Sequence, residues 1–312
     1  MNTPPAIELR GLTKRFGDTL ALDRCDLAVR PGVVFGFLGR NGAGKTTALR
    51  ILAGLARPTS GTAHVLGHDV TASSNVVRAQ IGFLPDVPGF YPWMTAREYL
   101  DFAGRLFALD RATIDARANA LLEMAGLASV TARIGGFSRG MKQRLGIAQA
   151  LINAPNLLML DEPTSALDPI GRREVLEMVA SLRGRTTVFF STHILADVER
   201  VCDAVAILER GRIVESAEVA ELTARATASR IVVEVEGDAA AASVARELAG
   251  RTWLKSVEAA DNVLRMTVSD LPAAQREIPA AISAAGVALR RFEIGEGTLE
   301  DVFVELVGGP AQ

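Results

Sequence analysis

The sequence predicts an α/β fold whose core sheet is mainly parallel, followed by a small α+β domain. Strand-length apolar runs alternate with segments of helical periodicity through the first two thirds of the chain, which is typical of a parallel sheet covered by helices. One such run, residues 33–38, leads through a glycine-rich segment into a helical pattern. Near residues 217–229 the composition changes and a shorter pattern begins. A chain of 312 residues is also longer than one core usually holds.

The predicted elements of the first domain, residues 5–220, are bounded by proline, glycine and capping residues. Apolar or alternating runs predict strands at residues 7–10, 21–29, 33–38, 62–66, 81–84, 157–160, 186–190, 204–208 and 212–214. Helical periodicity predicts helices at residues 44–56, 95–127 and 139–152, and from about 169 and 194 onward. The second of these begins with a capping box, in which Thr95 and Glu98 each satisfy a free backbone N–H of the first turn. Residues 88–152 are expected to form a helical subdomain.

The second domain is predicted over residues 228–308 as a small α+β unit. Its strands are expected at residues 230–236, 263–268 and 287–294, and its helices at 239–248, 273–285 and 298–306. This region contains no cysteine, no histidine and no glycine-rich loop, so the sequence assigns it no site chemistry.

Bulk composition excludes several classes of protein. No apolar run approaches the roughly 18–20 residues that cross a bilayer, so no transmembrane segment is predicted. The net charge of −2 gives no electrostatic footprint for nucleic acid, and we expect no nucleic-acid partner. Two distant cysteines, Cys25 and Cys202, make neither a disulfide framework nor a zinc site, which fits a reducing cytoplasm.

The segment 39–46 has the pattern G-x-x-x-x-G-K-[ST] between a strand and a helix, which is the context of a phosphate-binding loop rather than of an ordinary glycine-rich turn. Glycines let successive backbone N–H groups point inward, and the helix N-terminus adds partial positive charge. Lys45 is expected to neutralise the β- and γ-phosphates of a nucleoside triphosphate, and the Thr46 hydroxyl to bind Mg²⁺. The nucleotide-binding residues predicted here are Gly39, Arg40, Asn41, Gly42, Ala43, Gly44, Lys45, Thr46 and Thr47.

Two further segments carry groups suited to hydrolysis of a bound triphosphate. The apolar run 157–160 ends in Asp161 and Glu162; the first carboxylate is expected to hold Mg²⁺ and the second to orient or deprotonate the attacking water. Ser138 and Gly140 stand at the start of a predicted helix. Such a start can bind an anion or can simply be an ordinary N-cap.

In this order, these motifs resemble those of the ATP-binding cassette (ABC) family, specifically the nucleotide-binding subunit of a transporter. The resemblance covers residues 7–216 and implies the P-loop NTPase cassette fold, with an antiparallel β subdomain and a helical subdomain. Residues 39–46 match Walker A, 157–162 match Walker B, 138–141 occupy the signature position and 165–168 the D-loop. The resemblance further implies roles for three residues. His193 would be the switch histidine, Asp168 of the D-loop would contact the nucleotide, and Phe16 would stack on adenine.

The resemblance also implies a composite site. Two cassettes pack head to tail, and each ATP, with Mg²⁺, lies between the Walker motifs of one and the Ser138–Gly140 segment of the other. One motif set per chain implies a second cassette subunit, as a homodimer or with a paralogue. A separate polytopic membrane permease would complete the transporter and hold this subunit at the cytoplasmic face of the membrane. The alternative is a soluble ABC ATPase that acts as a regulatory or non-transport module.

Two departures from the family pattern resemble the subfamily that serves exporters of drugs, antibiotics, polysaccharides or lipids. Arg139 and Met141 replace a glycine and a glutamine of the common signature. Asp86 replaces the glutamine that usually follows the strand at 81–84; its carboxylate could bind Mg²⁺ or act in catalysis, although it adds negative charge beside the triphosphate.

Aromatic residues cluster between residues 90 and 107, where cassette proteins form the groove for a coupling helix of the permease. They fit two interpretations equally: a docking surface, with Tyr91 and Trp93 as its anchors, or the core of the helical subdomain.

Overall fold

A computed structural model describes residues 4–227, 230–237, 240–294 and 298–307. The chain divides into two compact units, Met1–Val219 and Ala220–Gln312, and each is described separately below.

The first unit contains ten strands and eight helices within its described residues. The strands are β1 (Ile7–Phe16), β2 (Thr19–Val29), β3 (Val34–Leu38), β4 (Ser60–Val65), β5 (His68–Asp69), β6 (Ile81–Leu84), β7 (Leu157–Asp161), β8 (Thr187–Thr192), β9 (Ala204–Glu209) and β10 (Arg212–Glu218). The helices are α1 (Lys45–Leu52), α2 (Ser74–Gln80), α3 (Ala96–Leu106), α4 (Arg111–Met124), α5 (Arg139–Ala150), α6 (Pro169–Ala180) and α7 (Leu195–Val201), together with the 3₁₀ turn Ile134–Gly136. Helix α8 (Val219–Thr227) begins at the boundary of the two units.

A six-stranded sheet in the order β10-β9-β3-β8-β7-β6 forms the core of this unit. All neighbours are parallel except the edge pair β10–β9, which confirms the predicted mainly parallel α/β core. Every residue of β3, β7 and β8 is buried. Strands that are covered on both faces require such continuous apolar runs, so these three strands could be identified from sequence.

A second sheet, in the order β2-β1-β4-β5, is antiparallel throughout, as an antiparallel β subdomain predicts. Its apolar residues and those of α1 and the core sheet belong to one buried cluster, which includes Leu9, Leu27, Phe37, Leu49 and Phe189. The phosphate-loop segment is therefore supported from both sheets.

The single helix predicted over residues 95–127 is wrong, because the structure has two helices there, α3 and α4. Ala108 takes a left-handed conformation with φ 54°, which ends α3, and the Asp110 side chain accepts a hydrogen bond from the Thr113 N–H to begin α4. The capping box at Thr95 and Glu98 is confirmed. Helix α2 carries little apolar periodicity and was not predicted from sequence.

The second unit has the order β11 (Arg230–Val235), α9 (Ala240–Leu248), β12 (Leu254–Ala260), β13 (Val263–Val268), α10 (Leu271–Ala284), β14 (Leu289–Ile294) and α11 (Leu299–Val307). Its antiparallel sheet runs β12-β13-β11-β14, and side chains of β11, β13, α9 and α10 share one core. This is the β-α-β-β-α-β arrangement. Strand β12 was not predicted, because five of its seven residues are exposed and its sequence alternates only weakly.

No helix among the residues that the structure describes is long and apolar enough to cross a membrane.

Candidate functional site

Four strands of the core sheet deliver the predicted site residues to one edge. The order β3-β8-β7-β6 is parallel, so the carboxyl ends of these strands all lie on the same side. The phosphate-loop segment follows β3, His193 follows β8 and Asp86 follows β6. Asp161 is the last residue of β7, and Glu162 comes directly after it. Ligands of open α/β sheets bind at this edge.

The loop between β3 and α1 depends on two glycines that no other residue could replace without a shift in the backbone. A Cβ on Gly39 would lie 2.5 Å from the Leu208 carbonyl oxygen, and one on Gly44 would lie 2.4 Å from that of Ala21. Gly44 also has φ 113° at the N-cap of α1, a conformation that glycine alone adopts easily. The loop therefore reaches the N-terminus of α1, which is a favourable place for an anion. Within the loop, the Gly39 and Ala43 N–H groups donate to the carbonyl oxygens of Thr192 and Arg40.

Lys45 is almost fully buried and lies across this loop. Its Nζ donates hydrogen bonds to the carbonyl oxygens of Gly39, at 2.7 Å, and Arg40, at 3.2 Å. The same atom is 3.0 Å from Glu162 Oε1. That carboxylate oxygen is buried and has no aligned hydrogen bond, so its contact with Lys45 is a charge pair. The ammonium group thus stands between the loop and the acid at the end of β7.

Glu162 is held by its backbone as well as by its side chain. Its φ of 50° is left-handed, and its N–H donates to both the carbonyl oxygen and the hydroxyl of Ser191. Its Oε2 lies 2.8 Å from His193 Nδ1. The structure therefore brings together three predicted residues, Lys45, Glu162 and His193. A strained backbone at such a position is often associated with function.

Asp161 is buried beside Thr46. Its Oδ1 accepts hydrogen bonds from the Ser191 hydroxyl at 2.7 Å and from the Thr46 hydroxyl at 3.3 Å. Burial raises the pKa of the Asp161 carboxyl, the two hydroxyl donors lower it in part, and the neighbouring charges of Glu162 and Asp86 raise it further. Asp86, whose negative charge contributes to this rise, has an exposed side chain.

Ser138 and Asp168 act as N-caps in the structure. The Ser138 hydroxyl accepts a hydrogen bond from the Met141 N–H at 3.2 Å to begin α5, and Asp168 Oδ1 accepts one from the Gly171 N–H at 3.0 Å to begin α6. The two helix starts are neighbours, since a Cβ on Gly140 would lie 3.7 Å from Gly171 Cα. Within the part of the chain that the structure describes, no hydrogen bond or ion pair joins Ser138 or Asp168 to Lys45 or Glu162.

Two models of known families match the chain. The model described as "ABC transporter" matches residues 22–165, and the model described as "ATP-binding protein DrrA1-3-like, C-terminal domain" matches residues 214–307. The bacitracin transport ATP-binding protein BcrA of Bacillus licheniformis is 36% identical over 307 residues, covering 97% of this chain and 97% of BcrA. This chain belongs to the ABC transporter ATP-binding proteins.

Two further comparisons agree with this assignment. The daunorubicin resistance ATP-binding protein DrrA3 of Streptomyces coeruleorubidus is 38% identical to the ABC protein over 307 residues, covering 97% of this chain and 96% of DrrA3. The dimeric, post-hydrolysis structure of the ATP-binding cassette MJ0796, bound to ADP and Pi, superposes with a TM-score of 0.61 at 25% identity, over 68% of this chain and 98% of that one. The ABC protein therefore binds and hydrolyses ATP as a subunit of a transporter.

Phe16, at the end of β1, has an exposed side chain, 54% accessible, and Lys14 Nζ lies 4.7 Å from the centre of its ring. An aromatic side chain in the core of the ABC protein would be buried. The exposure of the Phe16 ring is compatible with stacking on a planar ligand.

Sequence reasoning missed Ser191, which connects the two acids of β7. Its hydroxyl contacts Asp161, and both its hydroxyl and carbonyl oxygens accept from the Glu162 N–H. The signal was present in the sequence, since the polar residues Ser191 and Thr192 directly follow the apolar run at residues 188–190. A buried hydroxyl needs a partner, and here the partners are site residues.

We expect Asp161→Asn to stabilise the free ABC protein while it lowers ATPase activity. Because the folded-state pKa of Asp161 is raised, the folded protein prefers the protonated carboxyl, and stability falls as pH rises from the ordinary pKa of aspartate through the raised one. The neutral amide removes this effect and still accepts hydrogen bonds through its oxygen. Thermal unfolding at pH 7 without nucleotide should show a gain on the order of 1 kcal/mol, or a few degrees.

At pH values below the ordinary pKa of aspartate, the difference in stability between Asp161→Asn and the parent should shrink. The Asp161 carboxyl is then neutral in both the folded and the unfolded protein. A loss of stability at pH 7 would contradict the expectation.

Proposed function

We propose that the sheet edge binds Mg²⁺-ATP through the residues predicted for it and that the protein energises export through a separate permease. The contact between Lys45 and Glu162 carries the first part, because it joins the phosphate loop to the acid at the end of β7. In this assignment the N–H groups of the phosphate loop, residues 39–47, cradle the phosphates, and Lys45 neutralises the β- and γ-phosphates. Phe16 stacks on the base.

The proposed metal ligands are Thr46, Asp161 and Asp86, either directly or through water. No group of three or more His, Cys, Asp or Glu side chains arranged for a metal occurs among the described residues. Mg²⁺ in nucleotide sites needs no such group, since it keeps several waters and binds through one or two protein oxygens and the phosphates. The oxygens of Thr46 and Asp161 lie side by side, and the negative charges of Glu162 and Asp86 act on the same carboxylate. Such a group of oxygens suits a small, hard cation. When bound, the cation would neutralise charge on the phosphate oxygens.

Glu162 is assigned as the general base or water-orienting group. Its Oε2 faces His193 Nδ1 at 2.8 Å, so His193 holds the carboxylate in one orientation. In this assignment the His193 ring contacts the γ-phosphate, and Glu162 accepts a proton from the attacking water. Asp86, exposed beside Asp161, is assigned an auxiliary place near the water and metal.

A second cassette completes the site in this proposal. Ser138 begins a helix of twelve residues, has an exposed side chain, and accepts a hydrogen bond from the Met141 N–H. A helix start that faces solvent is available to the triphosphate of a partner, as the dimer of the related cassette suggests. Gly140 allows the close approach, and Asp168 lies beside it at the start of α6. The proposed dimer is a homodimer.

A mixture of two inactive variants tests the composite site. Lys45→Ala removes the phosphate loop's cation, and Ser138→Arg blocks the helix start that serves the partner. Each homodimer should lack turnover, whereas a mixed dimer contains one intact site, built from Lys45 of one protomer and Ser138 of the other. We expect phosphate release to reappear on mixing, at about a quarter to a half of the parent rate.

The matched control mixes Lys45→Ala with Lys45→Ala,Ser138→Arg, which leaves no intact site. Recovery in this control, or full activity of monomeric protein, would overturn the composite arrangement.

The exposed aromatics of the helical subdomain are proposed as the permease-docking surface. Tyr91 and Trp93 are exposed and in contact, with ring centres 5.2 Å apart, whereas Tyr99 is buried. The cluster thus contains both a core part and a surface part. Export, rather than import, is supported by the similarity to a protein named for daunorubicin resistance. The protein would then lie at the cytoplasmic face of the membrane.

We expect the double variant Tyr91→Ala,Trp93→Ala to weaken association with a co-expressed permease about tenfold or more, because aromatic anchors dominate interfaces of this kind. Co-purification in detergent measures it. Leu106→Ala is the matched control, since Leu106 is 72% exposed in the same subdomain and carries no assigned contact. Equal loss in both variants would contradict the docking assignment.

A further inference from the structure

A fully buried carboxylate lies outside the site described above. Asp197, on α7, has no accessible surface. Its Oδ2 accepts a hydrogen bond from the Thr164 hydroxyl at 2.6 Å, and its Oδ1 accepts one from Arg172 Nε at 2.6 Å. Both oxygens are therefore engaged, and the charge is compensated by the guanidinium. A buried acid in a protein requires such partners.

The partners of Asp197 lie on the segments that carry the candidate catalytic residues. Thr164 is two residues after Glu162, and Arg172 is four residues after Asp168. Asp197 itself is four residues after His193. Two residues of chain span at most about 7 Å, so a shift of Thr164 reaches Glu162 directly. One carboxylate thus joins the segment after β7, the helix after β8 and the first turn of α6.

We propose that Asp197 is a positioning residue that aligns Glu162, His193 and the Asp168 turn with one another through Thr164 and Arg172. This inference rests on the proposed roles of Glu162 and His193. A buried ion pair contributes little net stability compared with apolar residues of the same size. Its directional bonds do fix the geometry of the segments that it joins, and the segments joined here are those that must stay aligned during hydrolysis.

Arg172 is partly buried, so its guanidinium can reach the buried Asp197 while the rest of its side chain borders solvent. Its side chain is 32% accessible and lines a cleft of about 330 Å³ together with Arg173 and Arg200. Arg173, one residue further, instead pairs with Glu177 at 3.4 Å on the exposed face of α6. The neighbouring arginines therefore separate into one that binds the buried acid and one that does not.

Conservative substitutions at Thr164 give the sharpest test. Thr164→Val keeps the size of the side chain but removes the hydroxyl that Asp197 accepts from, whereas Thr164→Ser keeps the hydroxyl. Because small misplacements near a reacting group have large effects on rate, we expect Thr164→Val and Asp197→Asn each to lower kcat about 10-fold to 100-fold. The KM for ATP should stay within about twofold. Thr164→Ser should restore most of kcat. Arg172→Gln should lower kcat as Asp197→Asn does, whereas its matched control, Arg173→Gln, should retain it.

Thermal unfolding separates positioning from folding. The proposal requires that kcat falls in Thr164→Val while its unfolding temperature stays within a few degrees of that of Thr164→Ser. Unchanged kcat in Thr164→Val and Asp197→Asn would overturn it. A loss of kcat that tracks the loss of folded protein, or failure of both variants to fold, would also overturn it, because the role of Asp197 would then be structural.

A second measurement does not depend on turnover. ATP-dependent dimer formation by Glu162→Gln should weaken about tenfold when Asp197→Asn is added, because the Asp168 turn and His193 are no longer held together. Failure of the proposed function has a different signature: phosphate release by the parent would then survive Glu162→Gln or Lys45→Ala, whatever the Thr164 variants do.

Discussion

Replacement of Glu162 by glutamine is expected to slow ATP turnover about 10²–10⁴-fold, the usual contribution of a general base, while ATP still binds. Glutamine has the same length as glutamate and can still hydrogen-bond to His193, but it cannot accept the proton from water. It also removes the negative charge that faces Lys45 at 3.0 Å, which leaves the ammonium free for phosphate. Steady-state phosphate release and equilibrium ATP binding measure the two quantities separately.

Glu162→Gln should also change the oligomeric state of the protein. Because ATP binds and is not cleaved, Glu162→Gln should accumulate as an ATP-bound dimer, visible as a shift to twice the parent mass in size-exclusion chromatography with ATP and Mg²⁺. The matched control is Glu123→Gln, an exposed glutamate on α4, which should behave as the parent does. Turnover within about threefold of the parent in Glu162→Gln would refute the assignment of the base.

The part of this protein that the sequence predicts well is the part encoded in local patterns. The strands β3, β7 and β8 are continuous apolar runs because both faces of the sheet are covered. These strands are parallel neighbours, so the motifs that follow them meet at one edge of the sheet. The Thr95–Glu98 capping box was likewise readable, since its partners are three residues apart.

The part that the sequence does not predict depends on contacts between distant residues. Ser191 connects to Asp161 across 30 residues, and Asp197 connects to Thr164 across 33. Neither residue belongs to a short motif whose chemistry names its partner. The end of α3 was missed for a different reason: Ala108 is a good helix former, and only its left-handed backbone in the structure shows where the helix stops.

The same contrast explains the aromatic cluster at residues 90–107. Composition alone could not divide it between core and surface, because burial of an aromatic depends on what packs over it. The structure buries Tyr99 and exposes Trp93, and Tyr91 contacts both of them. In the proposed docking surface, packing of Tyr91 on the buried Tyr99 would restrict its side chain and lower the entropy lost on binding.

Lys45→Ala is expected to weaken ATP binding about 100-fold and to abolish measurable turnover. Charge-assisted hydrogen bonds contribute about 1.5–3 kcal/mol each, and each 1.4 kcal/mol corresponds to about tenfold in affinity. Lys45 lies across the phosphate loop, with Nζ bonded to the Gly39 and Arg40 carbonyl oxygens. Equilibrium binding of ATP with Mg²⁺ measures the loss, with Lys255→Ala, a lysine of the second unit, as the control.

Lys45→Ala also has an effect on folding that must be separated from the effect on binding. Removal of the ammonium leaves the buried Oε1 of Glu162 without its cation, which should lower the unfolding temperature. The double variant Lys45→Ala,Glu162→Gln removes both charges, so we expect it to recover stability but not ATP affinity. If ATP affinity returned together with stability in the double variant, Lys45 would act by supporting the fold. If the double variant is stable but its ATP affinity stays low, the Lys45 ammonium binds phosphate.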